Sequence, residues 1–246
     1  MAEASLQSAP KDLLQTIDAA MDVRRIGPGF IIRPPDFAKP VGLPPWFIDR
    51  CRRAYLSARQ DTDHRVIGVT SASHGEGKSS VAIGIATAIA ADTREPTLLL
   101  ECELERPSFC EFFGVPAERG LTEWLDNTAA LRIIRVPYLP QLVVIPAGAP
   151  HPDPARLLYQ MSETNVIADL TQRFRNIVLD LPPMLDIAYS SLASRLAERI
   201  LVVARYGETS VEDLERLIFL LGRERISGLI LNGTDFRTPG WLRRLL

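Results

Sequence analysis

The strongest constraint on the fold is a recurrence of short apolar, β-branched runs at positions 66–70, 97–100, 142–145, 177–181, 200–203 and 229–231. Helical patterns lie between most of them, at 79–91, 154–174, 190–197 and 211–222. Strands that are apolar on both sides and separated by helices predict an α/β fold: a mainly parallel, twisted sheet with helices on both faces. A chain of 246 residues has room for one such domain and a short extension. We therefore expect a domain at 46–236, preceded by an extension at 1–45 and followed by a basic-apolar tail at 237–246. A weakly amphipathic piece (Leu13, Leu14, Ile17, Met21) comes first in the extension, and the stretch after it, broken by six prolines between Pro28 and Pro45, should run extended over the surface or stay flexible. A helical pattern at 46–59 then opens the domain with a basic face of Arg50, Arg52, Arg53 and Arg59.

Composition excludes more than it assigns. A net charge of -2 gives no global drive toward nucleic acid, and none is expected as a partner. The longest nearly apolar run, 81–91, is too short to span a bilayer. The expectation is a soluble, cytoplasmic protein whose membrane contact is peripheral or made through a partner. Three cysteines, Cys51, Cys102 and Cys110, show no metal-ligand spacing and suit a reducing compartment.

The first strand runs into Ala72-Ser-His-Gly-Glu-Gly-Lys-Ser79, followed by a helix. This is P-loop spacing with Ala72 in place of the first glycine. Gly75 and Gly77 let the backbone curl so that amide groups converge on a phosphate, and the helix N-terminus adds positive potential. Gly75, Glu76, Gly77, Lys78, Ser79 and Ser80 are thus the predicted ATP-binding residues. Lys78 would reach the β- and γ-phosphates, and Ser79 would ligate Mg²⁺.

Phosphate chemistry also needs carboxylates around the Mg²⁺ and near the attacking hydroxyl. Asp180 ends the apolar strand Asn176-Ile-Val-Leu-Asp180, the Walker B position, and is a candidate metal ligand. Glu101 and Glu103 stand at the end of another strand, where alternation by two would send both side chains the same way. Both are catalytic candidates with Lys78 and Asp180, and Glu101 is a candidate metal ligand as well. A solvated acidic rim is the alternative reading of the two glutamates.

Taken together, these motifs resemble the bacterial tyrosine kinases of capsule and exopolysaccharide synthesis, the BY-kinases, within the MinD/ParA-like deviant-Walker P-loop group. SHGEGKSS resembles the family's PGEGKS loop, with His74 where proline is usual. TLLLECELERP resembles its Walker A′ motif, IPAGAPHPDPARLL its proline-rich segment, and IVLDLPP its Walker B strand. The resemblance implies a P-loop NTPase fold, transfer of the ATP γ-phosphate to tyrosine with Mg²⁺, and adenine contact by Asn232. It also implies a transmembrane, Wzz-like polysaccharide co-polymerase as activator, here a separate chain, and a possible homo-oligomer. Four features depart from the pattern. Both Walker A′ aspartates are glutamates, and Glu105 stands where a basic residue is usual, leaving Arg106. The subunit-contact helix reads Asp49-x-x-Arg52-x-x-Tyr55, and no tyrosine cluster stands near residue 246. These departures favour a divergent or regulatory member. A MinD/ParA-type switch ATPase is the alternative, although Ser73 occupies the place of its extra P-loop lysine. A non-catalytic interaction module is a third reading.

Overall fold

The computed structural model describes Ile17, residues 42–58 and residues 64–234. Most of the expected extension 1–45 and the whole tail 237–246 lie outside the described residues. Ile17, from the weakly amphipathic piece of that extension, is completely buried in the main core.

Seven strands form one sheet: β1 (Val66–Ser71), β2 (Thr97–Glu101), β3 (Ile134–Val136), β4 (Leu139–Ile145), β5 (Asn176–Asp180), β6 (Arg199–Arg205) and β7 (Ile226–Asn232). Their order across the sheet is β3-β4-β2-β5-β1-β6-β7. All neighbours are parallel except β3, which pairs antiparallel with β4. The α/β architecture matches the sequence pattern, with β3 as an addition.

Period-two alternation divides the apolar side chains between two cores. Leu98, Leu100, Ile177, Leu179, Ile200 and Val202 point into one, and Leu99, Val178, Leu201 and Val203 into the other. The first core is closed by α4 (Leu121–Leu125), α5 (Pro154–Glu163), α6 (Val166–Arg173), α7 (Ser190–Ser194) and α8 (Val211–Leu221). The second is closed by α1 (Pro45–Ala58), α2 (Lys78–Thr93) and α3 (Phe109–Phe112). The helix expected over 154–174 is two helices, because Thr164 leaves helical geometry and Asn165 restarts it.

Helix α2 is apolar around its circumference and lies between the sheet and α1, so nearly every side chain from Val81 to Ala90 is buried. Gly84 permits the contact with α1: a Cβ there would stand 2.5 Å from Cys51 Sγ and 2.9 Å from the Phe47 ring. At the far end, Asp92 accepts from Arg52 Nε at 2.8 and 3.0 Å and from the Tyr55 hydroxyl at 2.7 Å. Arg52 and Tyr55 of the expected subunit-contact register are thereby engaged within their own chain. Gly84→Val should force α1 outward and cost about 1–3 kcal/mol, read as a lower denaturant midpoint. An unchanged midpoint would show that the α1–α2 contact is not close-packed.

A candidate Mg-ATP site at the carboxyl ends of the strands

Strand β1 lies between β5 and β6, so its exit loop opens at the carboxyl edge of the sheet, where open α/β folds bind ligands. The loop turns on Gly75 (φ 85°) and Gly77 (φ 91°), both in the left-handed region. Nothing would obstruct a Cβ at Gly75, so glycine serves conformation there. At Gly77 a Cβ would also stand 2.2 Å from Asn232 Nδ2. Helix α2 starts at Lys78, directing its free amide groups at the loop's hollow.

A cavity of about 570 Å³ opens there. Of the predicted residues, Gly75, Gly77, Lys78, Ser79, Ser80 and Glu103 line it. Lys78 Nζ stands 3.4 Å from Glu103 Oε2 and 3.7 Å from Asp180 Oδ1. Asp180 is completely buried, and neither of its oxygens has a hydrogen-bond partner; Glu103 Oε2 has none either. Burial pushes the Asp180 carboxyl up, the Lys78 charge and the Ser79 hydroxyl oppose the rise, and the Glu103 charge adds to it.

Four predicted residues do not line the cavity: Asp180, Glu101, Glu76 and Asn232. Glu101 is the clearest correction. Its Oε1 accepts from the Ser108 and Phe109 amides at 2.6 and 2.9 Å and from the Ser108 hydroxyl at 3.3 Å. Its Oε2 accepts from the Ala147 amide at 2.9 Å. Strand β2 ends at Glu101, so alternation no longer governs Glu103, and the two side chains part. Burial and the neighbouring Asp180 charge push the Glu101 carboxyl up to about 7, against the pull of its backbone donors. The side chain joins the β2 exit to α3 and to the β4 exit, and its oxygens are occupied.

Glu76 likewise turns away from the cavity. Its Oε2 accepts from the Ala72 and Ser73 amides at 2.8 and 3.2 Å, and Oε1 accepts from the Thr209 hydroxyl, so it braces the loop from within. Asn232, at the end of β7, donates from Nδ2 to the Glu76 carbonyl at 2.9 Å and supports the loop from the side.

Other lining residues were not among the predicted site residues: His74, Arg106, Ser108, Glu111 and Phe112. His74 carried a sequence signal, standing where the resembling loop has proline. Arg106 is the remaining basic residue after the three glutamates. Glu105, in the usual basic position, instead accepts from the Tyr189 hydroxyl at 2.8 Å.

The donor set fits Mg-ATP. A P-loop hollow, one lysine, a serine hydroxyl and buried carboxylate oxygens without donors are what a phosphate-bound Mg²⁺ uses, since this ion keeps waters and takes few protein ligands.

No protein-family model matches the chain. It is 27% identical over 193 residues to the tyrosine-protein kinase ptk of Acinetobacter johnsonii, covering 77% of this chain and 26% of that protein. It is 29% identical over 203 residues to the succinoglycan biosynthesis transport protein ExoP of Rhizobium meliloti, covering 79% and 26%. The chain thus spans about a quarter of the length of these curated relatives. Among solved structures, the kinase domain of the Escherichia coli tyrosine kinase ETK superposes with a TM-score of 0.67 at 26% identity, covering 76% of this chain and 75% of that one. The Pyrococcus horikoshii MinD complexed with Mg-ADP shares the fold, with a TM-score of 0.56 at 19% identity over 73% of this chain and 76% of that one. By sequence and by fold, the chain is a homologue of bacterial tyrosine-protein kinases, and it shares its fold with MinD.

Proposed function

We propose that the chain binds Mg-ATP and regulates exopolysaccharide or capsule synthesis or export as a divergent BY-kinase-like protein. The observation that carries this reading is Lys78, buried at the mouth of the loop against Glu103 Oε2 and the Asp180 carboxylate, oxygens that have no hydrogen-bond donor. Such an arrangement is costly in the free protein and suits a site completed by a cation and an anion.

Each residue's part follows from its place. Lys78 and the first α2 amides would hold the phosphates, and Ser79 and Asp180 would hold the Mg²⁺, whose charge would offset that on the transferring phosphate. Glu103 is the buried cavity carboxylate that would take a proton from an attacking hydroxyl. In the free protein its Oε2 stands 3.4 Å from Lys78 Nζ, so this role would require Lys78 to turn to a phosphate instead. Positioning dominates phosphate transfer, and a glutamate in place of aspartate moves the carboxylate by about 1 Å, a displacement that can cost on the order of a hundredfold in rate. We therefore read the chain as a slow or degenerate kinase whose nucleotide state controls a transmembrane co-polymerase. The relative named for succinoglycan biosynthesis transport supports the process. Glu76, Glu101 and Asn232 belong to the scaffold of the site in this reading.

The test is purified chain with Mg-ATP, read first as a thermal shift. Saturation a hundredfold above Kd should stabilise the fold by about 2.7 kcal/mol, and Lys78→Met should remove that gain. Phosphotyrosine appearing on a cognate co-polymerase segment at rates of a full kinase, and lost in Lys78→Met, would overturn the degenerate reading. No observation favours the switch-ATPase alternative: Ser73, in the place of its extra lysine, donates its hydroxyl to Asp186 at 3.0 Å.

A further inference from the structure

The segment after β5 runs beside the loop's entry, with the Met184 amide donating to the Ser71 carbonyl at 2.8 Å and the Leu185 amide to the Ala72 carbonyl at 3.0 Å. It thereby sets Asp186 against His74. Asp186 Oδ2 accepts from the His74 backbone amide at 2.7 Å and lies 2.8 Å from the ring Nδ1. Partial burial pushes the Asp186 carboxyl up, but its bonds from His74 and Ser73 outweigh that and hold it below the usual carboxylate range. An ionised acceptor facing Nδ1 requires the proton on that nitrogen, and the ring is fixed with Nε2 on the other side.

Nε2 lies 3.7 Å from Glu103 Oε2, the same oxygen that stands 3.4 Å from Lys78 Nζ. Neither His74 Nε2 nor Glu103 Oε2 has a hydrogen-bond partner, and the Glu103 side chain is only 2% exposed. Both residues line the cavity. A buried anionic oxygen thus sits between a lysine and a histidine without a proper bond to either. It marks a position where two protein groups converge on negative charge.

We propose that this position belongs to the terminal phosphate of ATP, and that His74 is a triphosphate-reading residue which binds a γ-phosphate oxygen as the imidazolium: Nδ1–H donates to Asp186, and a second proton, taken up from solvent with the triphosphate, makes Nε2–H the donor. The inference rests on the Mg-ATP reading above. In the free protein Glu103 Oε2 holds the place of that oxygen; binding of the triphosphate displaces it and gives Lys78 and His74 a closer acceptor. Asp186 is the positioning residue, keeping Nδ1 protonated and Nε2 aimed inward. ADP has no third phosphate to present, so His74 separates the two nucleotide states.

The experiment is calorimetric titration of the full chain with Mg²⁺ and either the non-hydrolysable adenylyl imidodiphosphate or ADP, for wild type, His74→Ala, His74→Gln and Asp186→Asn. Losing a charge-assisted hydrogen bond should weaken triphosphate binding about tenfold in His74→Ala and change ADP binding less than twofold. His74→Gln, which keeps a donor of similar reach without charge, should fall between, and Asp186→Asn should shift the same ratio in the same direction. An unchanged triphosphate-to-diphosphate ratio in both His74 variants, whether both affinities hold or both fall together, would overturn the assignment. Wild-type protein that binds neither nucleotide would overturn the Mg-ATP reading and this inference with it.

Discussion

Glu101→Ala should lower the free energy of unfolding by about 4 kcal/mol or more while leaving nucleotide affinity of the folded protein nearly unchanged. The carboxylate accepts from three backbone amides and one hydroxyl in a fully buried place. Removing it leaves the Ser108, Phe109 and Ala147 amides without a partner, each costing about 1–3 kcal/mol, and opens a cavity besides. Glu101→Gln should cost less, because one oxygen survives while its NH₂ group faces a backbone donor. Urea unfolding of both variants, with nucleotide titration under native conditions, separates the outcomes. Full stability with lost Mg-ATP binding would return Glu101 to the metal site where its spacing from Glu103 suggested it.

Asp180→Asn should do the reverse. The native carboxyl is pushed up by burial, so its ionised form is disfavoured in the folded protein. The resulting cost is absent at acid pH, where Asp180 is protonated folded or unfolded. It appears as pH rises through the ordinary carboxylate range and the unfolded chain ionises first. The neutral amide escapes that cost, so the ligand-free variant should be more stable than wild type at pH 7, with the difference closing as pH falls below the ordinary carboxylate range. The same change removes the carboxylate placed to hold Mg²⁺, and the Mg²⁺-dependent part of ATP affinity should fall at least about tenfold. Denaturation at pH 4 and pH 7, with and without Mg-ATP, reads both effects. A variant destabilised at pH 7 would show that the Lys78 charge already compensates Asp180 in the free protein.

The centre of the sheet was legible because β1, β2, β5 and β6 are buried on both faces and therefore read as unbroken apolar runs. β3 was not, since Ile134-Arg-Val136 is three residues long and owes its place to antiparallel pairing with β4. The phosphate loop was legible from glycine spacing between a strand and a helix, a local requirement. The division of labour between Glu101 and Glu103 was not, because two-residue alternation holds only while the strand continues, and β2 stops at Glu101. Glu76 was misread for a related reason. Its position in the motif is local, but its side chain goes to Ala72, Ser73 and Thr209, and Thr209 lies beyond β6 in the chain. His74 stood out as a substitution, yet its meaning depends on Asp186, more than a hundred positions downstream.

Asn232 gives the loop a dependence on chain order. Residues 72–79 come early in the chain, yet the Asn232 amide that fastens Glu76, and closes the space beside Gly77, arrives with the last described strand. Among the described strands, β7 pairs only with β6. The cavity beside the loop is therefore unfinished in a growing or partly unravelled chain until its outermost strand has docked. Loosening of that edge and release of the loop are one event seen from two ends of the sequence.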